Sequence, residues 1–438
     1  MGRGERSAPI RAGGACPVGE FGPFFARRAL AGHRKRRRHR ARLVRGRRAP
    51  AVADRVPERC GGHRVLAGFE TAGRGGRNRG ATLSAGFLRP GRGSEAASEP
   101  RRGNPRPAPG RVPSGGTAVT LRPEGERYRR LSSYLQSRFQ KPVRTVTLRG
   151  SFGCPNRDGR VGIGGCLFCS ESALIPRMAD AFGPIESQLV AGIARADERF
   201  PGCGILAYFQ DGAVTAAPLE RWAPLVRTAL AHPRVVAAAV GTRPDFLGED
   251  ALDFLGELSR QTPVWVELGL QVANDRLLAD MNRNHTVLDF AEAARKAGER
   301  GVAVVAHLIL DLPGEGEPDR WRTASLLNRL PVAGVKLHNL HVLRETPIEA
   351  LWRRGEIRLG TREEYAAAAA RFIEYLDPAT VIHRLTGEGP PELMLAPDWA
   401  RRKDLVLREV AKELERRNGF QGCRRAGGSA FAPDPGLC

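Results

Sequence analysis

Short apolar segments alternate with amphipathic segments along the chain from residue 143 onward. The apolar segments have the length of strands, and the segments between them repeat apolar residues at helical spacing. The predicted strands are Val143–Leu148, Gly204–Phe209, Val235–Val240, Val264–Leu270, Val302–Leu310 and Gly334–Leu340. The predicted helices are Ile185–Arg199, Pro218–Ala231, Asp250–Arg260, Val287–Arg300 and Trp321–Leu330. This alternation indicates parallel βαβ units, and six units are fewer than the eight of a closed barrel. The pattern therefore predicts an α/β fold, a partial (β/α)6 TIM-like barrel.

Other regions flank this repeat. Residues 126–139 carry apolar side chains at helical spacing, and residues 355–425 are mostly helical with loops. We therefore expect a core domain at residues 126–354, a small helical C-terminal appendage at residues 355–425 and a flexible tail at residues 426–438.

The charge of the chain is concentrated at its start. The formal net charge is +23, but residues 1–118 carry 27 Lys and Arg against 7 Asp and Glu, which leaves the remainder near neutral. This first segment is rich in Arg, Gly, Ala and Pro and lacks a sustained apolar period, so we expect it to be disordered. Three interpretations stay open: translation from a start too far upstream, a disordered arm that touches RNA, or an organelle transit peptide.

Three of the eight cysteines fall within sixteen positions, at Cys154, Cys166 and Cys169. They follow the first predicted strand on a loop with six glycines, at the strand end where barrel enzymes place their chemistry. Three thiolates can bind three irons of a 4Fe-4S cluster and leave the fourth iron open. Two alternatives remain: a structural zinc site with Cys203 or a histidine as fourth ligand, and a thioredoxin-like redox pair at residues 166 and 169.

The cysteine loop, with the string CPNRDG and then GGCLFC, resembles an Elongator-like branch of the radical S-adenosylmethionine (SAM) enzymes, and in particular a bacterial family of unassigned function. The resemblance runs from about Tyr128 to Gly422. Further similar blocks are AYFQ (207–210), GTRPD (241–245), VELGLQ (266–271), NRNHT (282–286), HLILDLPGE (307–315), GVKLHNLHVLRETP (334–347), HRLTGE (383–388) and RNGFQG (417–422). Two departures from that family are the segment after YFQ, which begins at Asp211, and Asp311 in place of a usual glycine. The acetyltransferase domain of Elongator is absent from the sequence.

The resemblance implies a 4Fe-4S cluster on the three cysteines and SAM bound at its open iron. One electron from a small donor such as flavodoxin or ferredoxin would cleave SAM and yield a 5′-deoxyadenosyl radical. Polar residues at the ends of the predicted strands are the candidate SAM contacts: Gln210, Thr242, Arg243, Glu267, Gln271 and His307. The alternatives are that Glu267 pairs with Arg243 to satisfy the barrel rim and that His307 is a core histidine. His338, His341, His383 and Arg384 are weaker candidates for substrate contacts.

These features together predict a radical SAM enzyme whose substrate the residues do not identify. The resemblance to Elongator makes tRNA or another RNA a candidate, although the near-neutral body argues against strong phosphate binding by the barrel. The alternatives are an RNA-binding protein with a structural metal centre and a SAM-binding regulator without turnover. The chain has no apolar segment long enough for a membrane helix and no secretory signal, so we expect a cytoplasmic protein without a membrane partner.

Overall fold

The computed structural model describes residues 125–170 and 183–425. The expectations for residues 1–118 and 426–438 concern parts of the chain outside these ranges. The strands are β1 Val143–Leu148, β2 Gly204–Phe209, β3 Val235–Thr242, β4 Val264–Gln271, β5 Ala303–Leu310, β6 Val332–Asn339, β7 Val342–Leu343, β8 Val381–Arg384 and β9 Met394–Ala396. The helices are α1 Leu131–Phe139, α2 Pro155–Asp158, α3 Ile185–Arg199, α4 Leu219–Ala231, α5 Glu249–Ser259, α6 Asp275–Asp280, α7 Val287–Glu299, α8 Glu317–Leu327, α9 Pro347–Arg353, α10 Arg362–Tyr375 and α11 Lys403–Arg416.

Seven strands form one parallel sheet in the order β1-β2-β3-β4-β5-β6-β8. The first six follow one another along the chain with a helix between consecutive strands, which confirms the predicted α/β half-barrel. In each strand, alternate side chains point outward and join a large apolar cluster with the surrounding helices. The other set forms the inner face of the sheet, where a smaller cluster packs: Leu206, Tyr208, Ala237, Ala239, Trp265 and Val305.

The seventh strand, β8, belongs to the region that was predicted as a helical appendage. It pairs in parallel with β6, with Val381 beside Gly334 and Arg384 beside Lys336. A strand of four residues that ends in His-Arg lacks the apolar run by which the other strands were identified. The C-terminal region therefore extends the main sheet, while α10 and α11 pack on its outer side and β9 pairs antiparallel with β7.

The edge of the sheet at β8 is covered by the segment before α1. The Ile382 amide donates to the Arg129 carbonyl oxygen over 2.8 Å, and Arg130 forms a parallel bridge with Ile382. Gln421 is fully buried behind this segment and accepts a hydrogen bond from the Arg129 amide at 2.8 Å. No helix within the described residues is long and apolar enough to cross a membrane.

Candidate active site

A cavity of about 1020 Å³ opens at the carboxyl ends of the parallel strands. All nine residues predicted for the cluster and for SAM line it: Cys154, Cys166, Cys169, Gln210, Thr242, Arg243, Glu267, Gln271 and His307. The carboxyl ends of parallel strands lie at one edge of the sheet, so residues far apart in sequence meet there. The tertiary structure thus gathers all nine around one space.

The cysteine loop leaves β1 and is supported by the loop after β2. Cys154 caps the short helix α2, and Gly164 and Gly165 take positive φ angles of 86° and 80° before Cys166. A Cβ atom at Gly212 would lie 1.9 Å from the Gly153 carbonyl oxygen, so only glycine fits at this contact. The two loops are held together closely on the side of the cavity that carries the thiols.

Asp211, one of the two departures from the family, anchors the start of the cysteine loop. Its carboxylate accepts hydrogen bonds from the Ser151 amide at 2.6 Å and from the Arg149 guanidinium at 3.0 Å. The residue is 7% exposed. Asp211 therefore fixes the cysteine loop onto the end of β2, a role that sequence reasoning did not assign to it.

The NRNH segment that follows α6 wraps the cysteine loop from the other side. Asn282 donates to the Gly165 carbonyl oxygen at 2.7 Å, and Asn156 donates to the Asn282 carbonyl oxygen at 2.7 Å. Asn284 donates to the Asn156 side-chain oxygen at 2.6 Å. Both Asn282 and Asn284 have φ angles of 53°, a region that asparagine tolerates better than most residues. The NRNHT block (residues 282–286) was recognised in the sequence, but the sequence did not predict that it contacts the cysteine loop.

Cys166 is surrounded by nitrogen donors. The side chains of Asn156 and Arg283 each place a nitrogen 3.4 Å from its sulfur atom. Burial raises the pKa of Cys169, and the neighbouring thiol of Cys166 raises it further. Donors aimed at a buried sulfur suit a thiolate that carries negative charge to a metal.

The zinc alternative needs a fourth ligand near the three thiols. Among the described residues, no three His, Cys, Asp or Glu side chains converge on one point as a lone ion requires. Cys203, the proposed fourth zinc ligand, lies at the amino end of β2 and is 1% exposed within the outer apolar cluster. In a 4Fe-4S cluster each thiolate binds a different iron, so wider spacing of the sulfurs is expected. The three thiols match the ligand number of a 4Fe-4S cluster with one open iron.

Glu267 lies at the centre of a buried polar group on β4, β5 and β6. Its carboxylate accepts hydrogen bonds from Lys336, from His307 at 2.6 Å and from the Trp265 indole at 3.2 Å. Burial alone would raise the pKa of Glu267, but Lys336 and His307 hold it well below its usual value. The carboxylate is therefore ionised. Lys336 was not singled out from the sequence, although it lies inside one of the recognised blocks.

Arg243 has partners other than Glu267. It forms a 2.8 Å ion pair with Asp245 and donates to the carbonyl oxygens of residues 283 and 284 at 3.0 Å each. The alternative Glu267–Arg243 pair is therefore wrong. Arg243 instead braces the segment that covers the cysteine loop.

The remaining candidates lie around the rim of the cavity. The Thr242 hydroxyl lies 2.7 Å from the Thr215 hydroxyl, which in turn donates to the Phe246 carbonyl oxygen. Gln271 ends β4 with a φ angle of 76°, and Gln210 follows β2; both are partly exposed. These amides face a cavity that has room for a ligand of nucleoside size.

Comparison with known proteins agrees with this geometry. The radical SAM superfamily profile matches residues 150–327, and that of the Radical_SAM C-terminal domain matches residues 332–416. The uncharacterized protein YtqA of Bacillus subtilis is 36% identical over 297 residues, which is 68% of this chain and 92% of that protein. Protein YhcC of Escherichia coli K12 is 33% identical over 291 residues, which is 66% of this chain and 92% of that protein.

The Elongator likeness is narrower. Elongator complex protein 3 of Schizosaccharomyces pombe is 29% identical over 164 residues, 37% of this chain and 30% of that protein. The solved structure of archaeal Elp3 from Methanocaldococcus infernus, with an N-terminal deletion, superimposes with a TM-score of 0.51 at 18% identity and covers 64% of each chain, so it supports the fold. With a half-barrel whose cysteine loop stands at the carboxyl end of β1, and with relatives that match across that whole half-barrel, this chain belongs to the radical SAM superfamily, in its Elongator-like branch, and is a radical SAM enzyme.

Proposed function

We propose that Cys154, Cys166 and Cys169 hold a 4Fe-4S cluster and that the cavity beside it binds and reductively cleaves SAM. The observation that carries this proposal is the arrangement at Cys166, where Asn156 and Arg283 direct nitrogen donors at a buried sulfur. A cluster with three thiolates is negatively charged, and donors and a guanidinium beside its ligands stabilise that charge. Bound together, the reduced cluster and SAM supply a 5′-deoxyadenosyl radical, with methionine as the other product.

The residues of the strand ends position SAM in this proposal. Glu267 is ionised, and among the described residues only the Trp265 indole occupies its Oε1 atom, so this oxygen keeps acceptor capacity for the SAM ammonium or a ribose hydroxyl. Gln210, Gln271 and Thr242 add polar contacts around the rim, and His307 holds Glu267 in place through its 2.6 Å contact. Arg243 enters as a positioning residue, since its guanidinium is engaged by Asp245 and the segment at residues 283–284.

A one-electron donor such as flavodoxin or ferredoxin is needed to reduce the cluster. The tip of the cysteine loop exposes two apolar side chains, Val161 at 39% and Ile163 at 57%. The adjacent Arg160 is 43% exposed but pairs with Asp158 at 2.8 Å, so this tip offers a donor mainly an apolar contact surface. For the substrate, tRNA or another RNA remains our candidate class, on the basis of the likeness to Elongator complex protein 3 over 37% of the chain.

Anaerobic reconstitution tests the proposal. The protein should take up about four irons and four sulfides with broad absorption near roughly 400 nm, as thiolate-bound clusters do. Given dithionite or reduced flavodoxin, it should convert SAM to 5′-deoxyadenosine and methionine, both measured by chromatography. Cys154→Ala should lose most of the iron and the turnover, whereas the matched Cys203→Ala should keep both, because Cys203 lies in the core away from the cavity.

Two results would contradict the proposal. Stoichiometric zinc without iron uptake would identify a structural metal centre. Full iron content with intact SAM after reduction would instead identify a cluster protein without turnover.

A further inference from the structure

The cavity has a second polar region on β6, β8 and the turn after β6. Three side chains that line it have a buried nitrogen without a hydrogen-bond partner among the described residues: Nε of Arg384, Nδ2 of Asn339 and Nε2 of His341. Buried polar atoms are satisfied in the great majority of native structures, so a group of three at one wall requires an explanation. A ligand or an ordered water molecule in the cavity would supply partners for them.

The region carries one positive charge that nothing nearby offsets. Lys336 is paired with Glu267, so these two charges balance. Arg384 forms no ion pair within the described residues, and of the carboxylates that influence it, Glu267 is paired with Lys336 and the exposed Glu388 with Lys403 at 3.3 Å. A guanidinium keeps its charge in a protein, and Arg384 is only partly exposed, so its unpaired charge favours an anion in the cavity.

The histidines beside Arg384 add no charge at neutral pH. Burial, followed by the charge of Arg384, lowers the pKa of His341 to about 4 and that of His338 well below its usual value. His307, Lys336 and Arg384 occupy one row across β5, β6 and β8. The net charge of this row with Glu267 is therefore close to +1, which matches a ligand with one negative charge.

The surrounding loop holds the donors in place. The Thr386 hydroxyl donates to the side-chain oxygen of Asn339 at 2.8 Å, which fixes the amide and leaves its Nδ2 atom for another partner. A Cβ atom at Gly387 would lie 1.9 Å from Nδ1 of His338, so the loop after β8 approaches this wall closely. Donors held in this way are preorganised for a ligand.

We propose that Arg384, Asn339 and His341 form a subsite for a carboxylate group of the substrate. This inference rests on the proposed function, since it names a chemical feature of the molecule that the radical would attack. Unmodified RNA has no carboxylate, so an RNA substrate would have to present a nucleoside that carries one. A carboxylate matches the planar guanidinium in shape and charge. A phosphate monoester carries about −1.5 to −2 charges at neutral pH, whereas a phosphodiester carries one and is the alternative that a phosphodiester probe tests. The subsite is distinct from the proposed cluster site, because Arg384 is on β8 and the cysteine loop follows β1 and rests on residues 281–284.

The test uses the reconstituted enzyme with bound SAM and three small probes: N-acetylglycine, its neutral amide, and dimethyl phosphate, which carries the single charge of a phosphodiester. Isothermal titration calorimetry should detect N-acetylglycine binding with at least tenfold preference over either other probe. Arg384→Gln should weaken that binding about ten- to hundredfold, as expected for loss of a charged hydrogen bond. The affinity of Arg384→Lys for N-acetylglycine should lie between those of the parent protein and Arg384→Gln. The matched control Arg353→Gln changes an exposed arginine on α9 and should bind like the parent protein.

Thermal denaturation provides a readout that a merely structural role would not give. N-acetylglycine should raise the Tm of the parent protein and not that of Arg384→Gln. Iron content, SAM affinity and substrate-free SAM cleavage should be unchanged in Arg384→Gln. The same three measurements on the parent protein test the proposed function, independently of whether N-acetylglycine binds. Equal binding of the amide, tighter binding of dimethyl phosphate, or no binding of N-acetylglycine to a parent enzyme that cleaves SAM would overturn the proposal. Loss of SAM affinity in Arg384→Gln would also overturn it, by assigning Arg384 to the SAM site.

Discussion

At the scale of single residues, the second family departure is explained by backbone conformation. Asp311 follows β5 with a φ angle of 62°, a region that glycine adopts freely and that aspartate tolerates better than most residues. Its amide donates to the Glu315 carboxylate, which also accepts from the Leu312 amide at 3.2 Å. Aspartate in place of glycine therefore leaves this turn closed.

Glu267 is the residue through which SAM binding is tested most directly. Glu267→Gln should lower SAM affinity about ten- to hundredfold, because a hydrogen bond to a charged group contributes about 1.5–3 kcal/mol. Iron content should be retained, since Glu267 is on β4 and the thiols are on the loop after β1. Equilibrium binding of SAM and iron analysis measure the two effects. Glu257→Gln changes an exposed residue on α5 and should alter neither quantity, so it is the control. Iron loss with unchanged SAM affinity in Glu267→Gln would assign Glu267 to the cluster instead.

Arg283 should tune the reduction potential of the cluster. Reduction adds negative charge beside the Arg283 guanidinium, which lies 3.4 Å from the Cys166 sulfur, so the arginine stabilises the reduced state. Arg283→Gln is expected to lower the midpoint potential, as measured by a redox titration followed by electron paramagnetic resonance. Arg276→Gln, on the exposed side of α6, should leave the potential unchanged. An unchanged or higher potential in Arg283→Gln would show that the guanidinium does not act on the cluster.

At the scale of elements, one buried amide links three separate segments. Gln421 donates to the carbonyl oxygens of Asp377 at 2.6 Å and Thr380 at 2.7 Å, and accepts from the Arg129 amide. It thereby connects the chain after α11, the turn before β8 and the segment that covers the edge of the sheet. The RNGFQG block recognised in the sequence is thus structural at this position.

Gln421→Ala should destabilise this edge. Each buried backbone group left without a partner costs about 1–3 kcal/mol, so we expect the free energy of unfolding to fall by about 2–5 kcal/mol. Hydrogen exchange should also quicken at the amides of residues 129 and 382. The exposed Gln136→Ala on α1 should change neither quantity. A fall in stability without faster exchange at these two amides would argue against the proposed link.

At the scale of the whole molecule, several buried or partly buried histidines lie on the inner face of the sheet and in the loops beside it. Burial lowers the pKa of His383 to about 3, and that of His285 also to about 3, in addition to the lowered values of His338 and His341. His383 packs against the Trp265 ring at 5.7 Å and over Gly334, where a Cβ would lie 2.6 Å from its Nε2 atom. These histidines are neutral in the folded protein near pH 7.

Stability should therefore fall in mild acid. The folded pKa values lie below the unfolded value of about 6.5, so as the pH falls the unfolded chain binds protons first. The stabilisation is complete above about pH 6.5 and is lost progressively down to about pH 3 for His383 and His285 and about pH 4 for His341, with each histidine contributing up to about 1.4 kcal/mol per pH unit. Urea denaturation between pH 7.5 and 5 should show this slope, and His383→Gln should reduce it. His232→Gln, in the turn after α4, is the control. If the free energy of unfolding changes with pH equally in the parent protein and in His383→Gln, His383 does not contribute.

The amino-acid sequence by itself determined the features that depend on neighbours along the chain. The alternation of apolar strands and amphipathic helices predicted the parallel half-barrel, because burial on both faces of such a sheet imposes that pattern. It also placed the cysteine loop after β1, and with it the edge of the sheet where the site lies. Because that edge is where the strands end, the polar residues at the strand ends were predicted as the SAM contacts, and all six of them line the cavity.

The tertiary structure decided which side chains meet. Lys336 and Glu267 are 69 positions apart, and Arg283 and Cys166 are 117 positions apart, so neither contact leaves a local pattern. They form because strands β4, β5 and β6 are neighbours and because the segment after α6 folds back over the loop after β1. The four residues of β8 likewise become a strand only beside β6, since their pairing supplies the hydrogen bonds that their own short sequence does not demand.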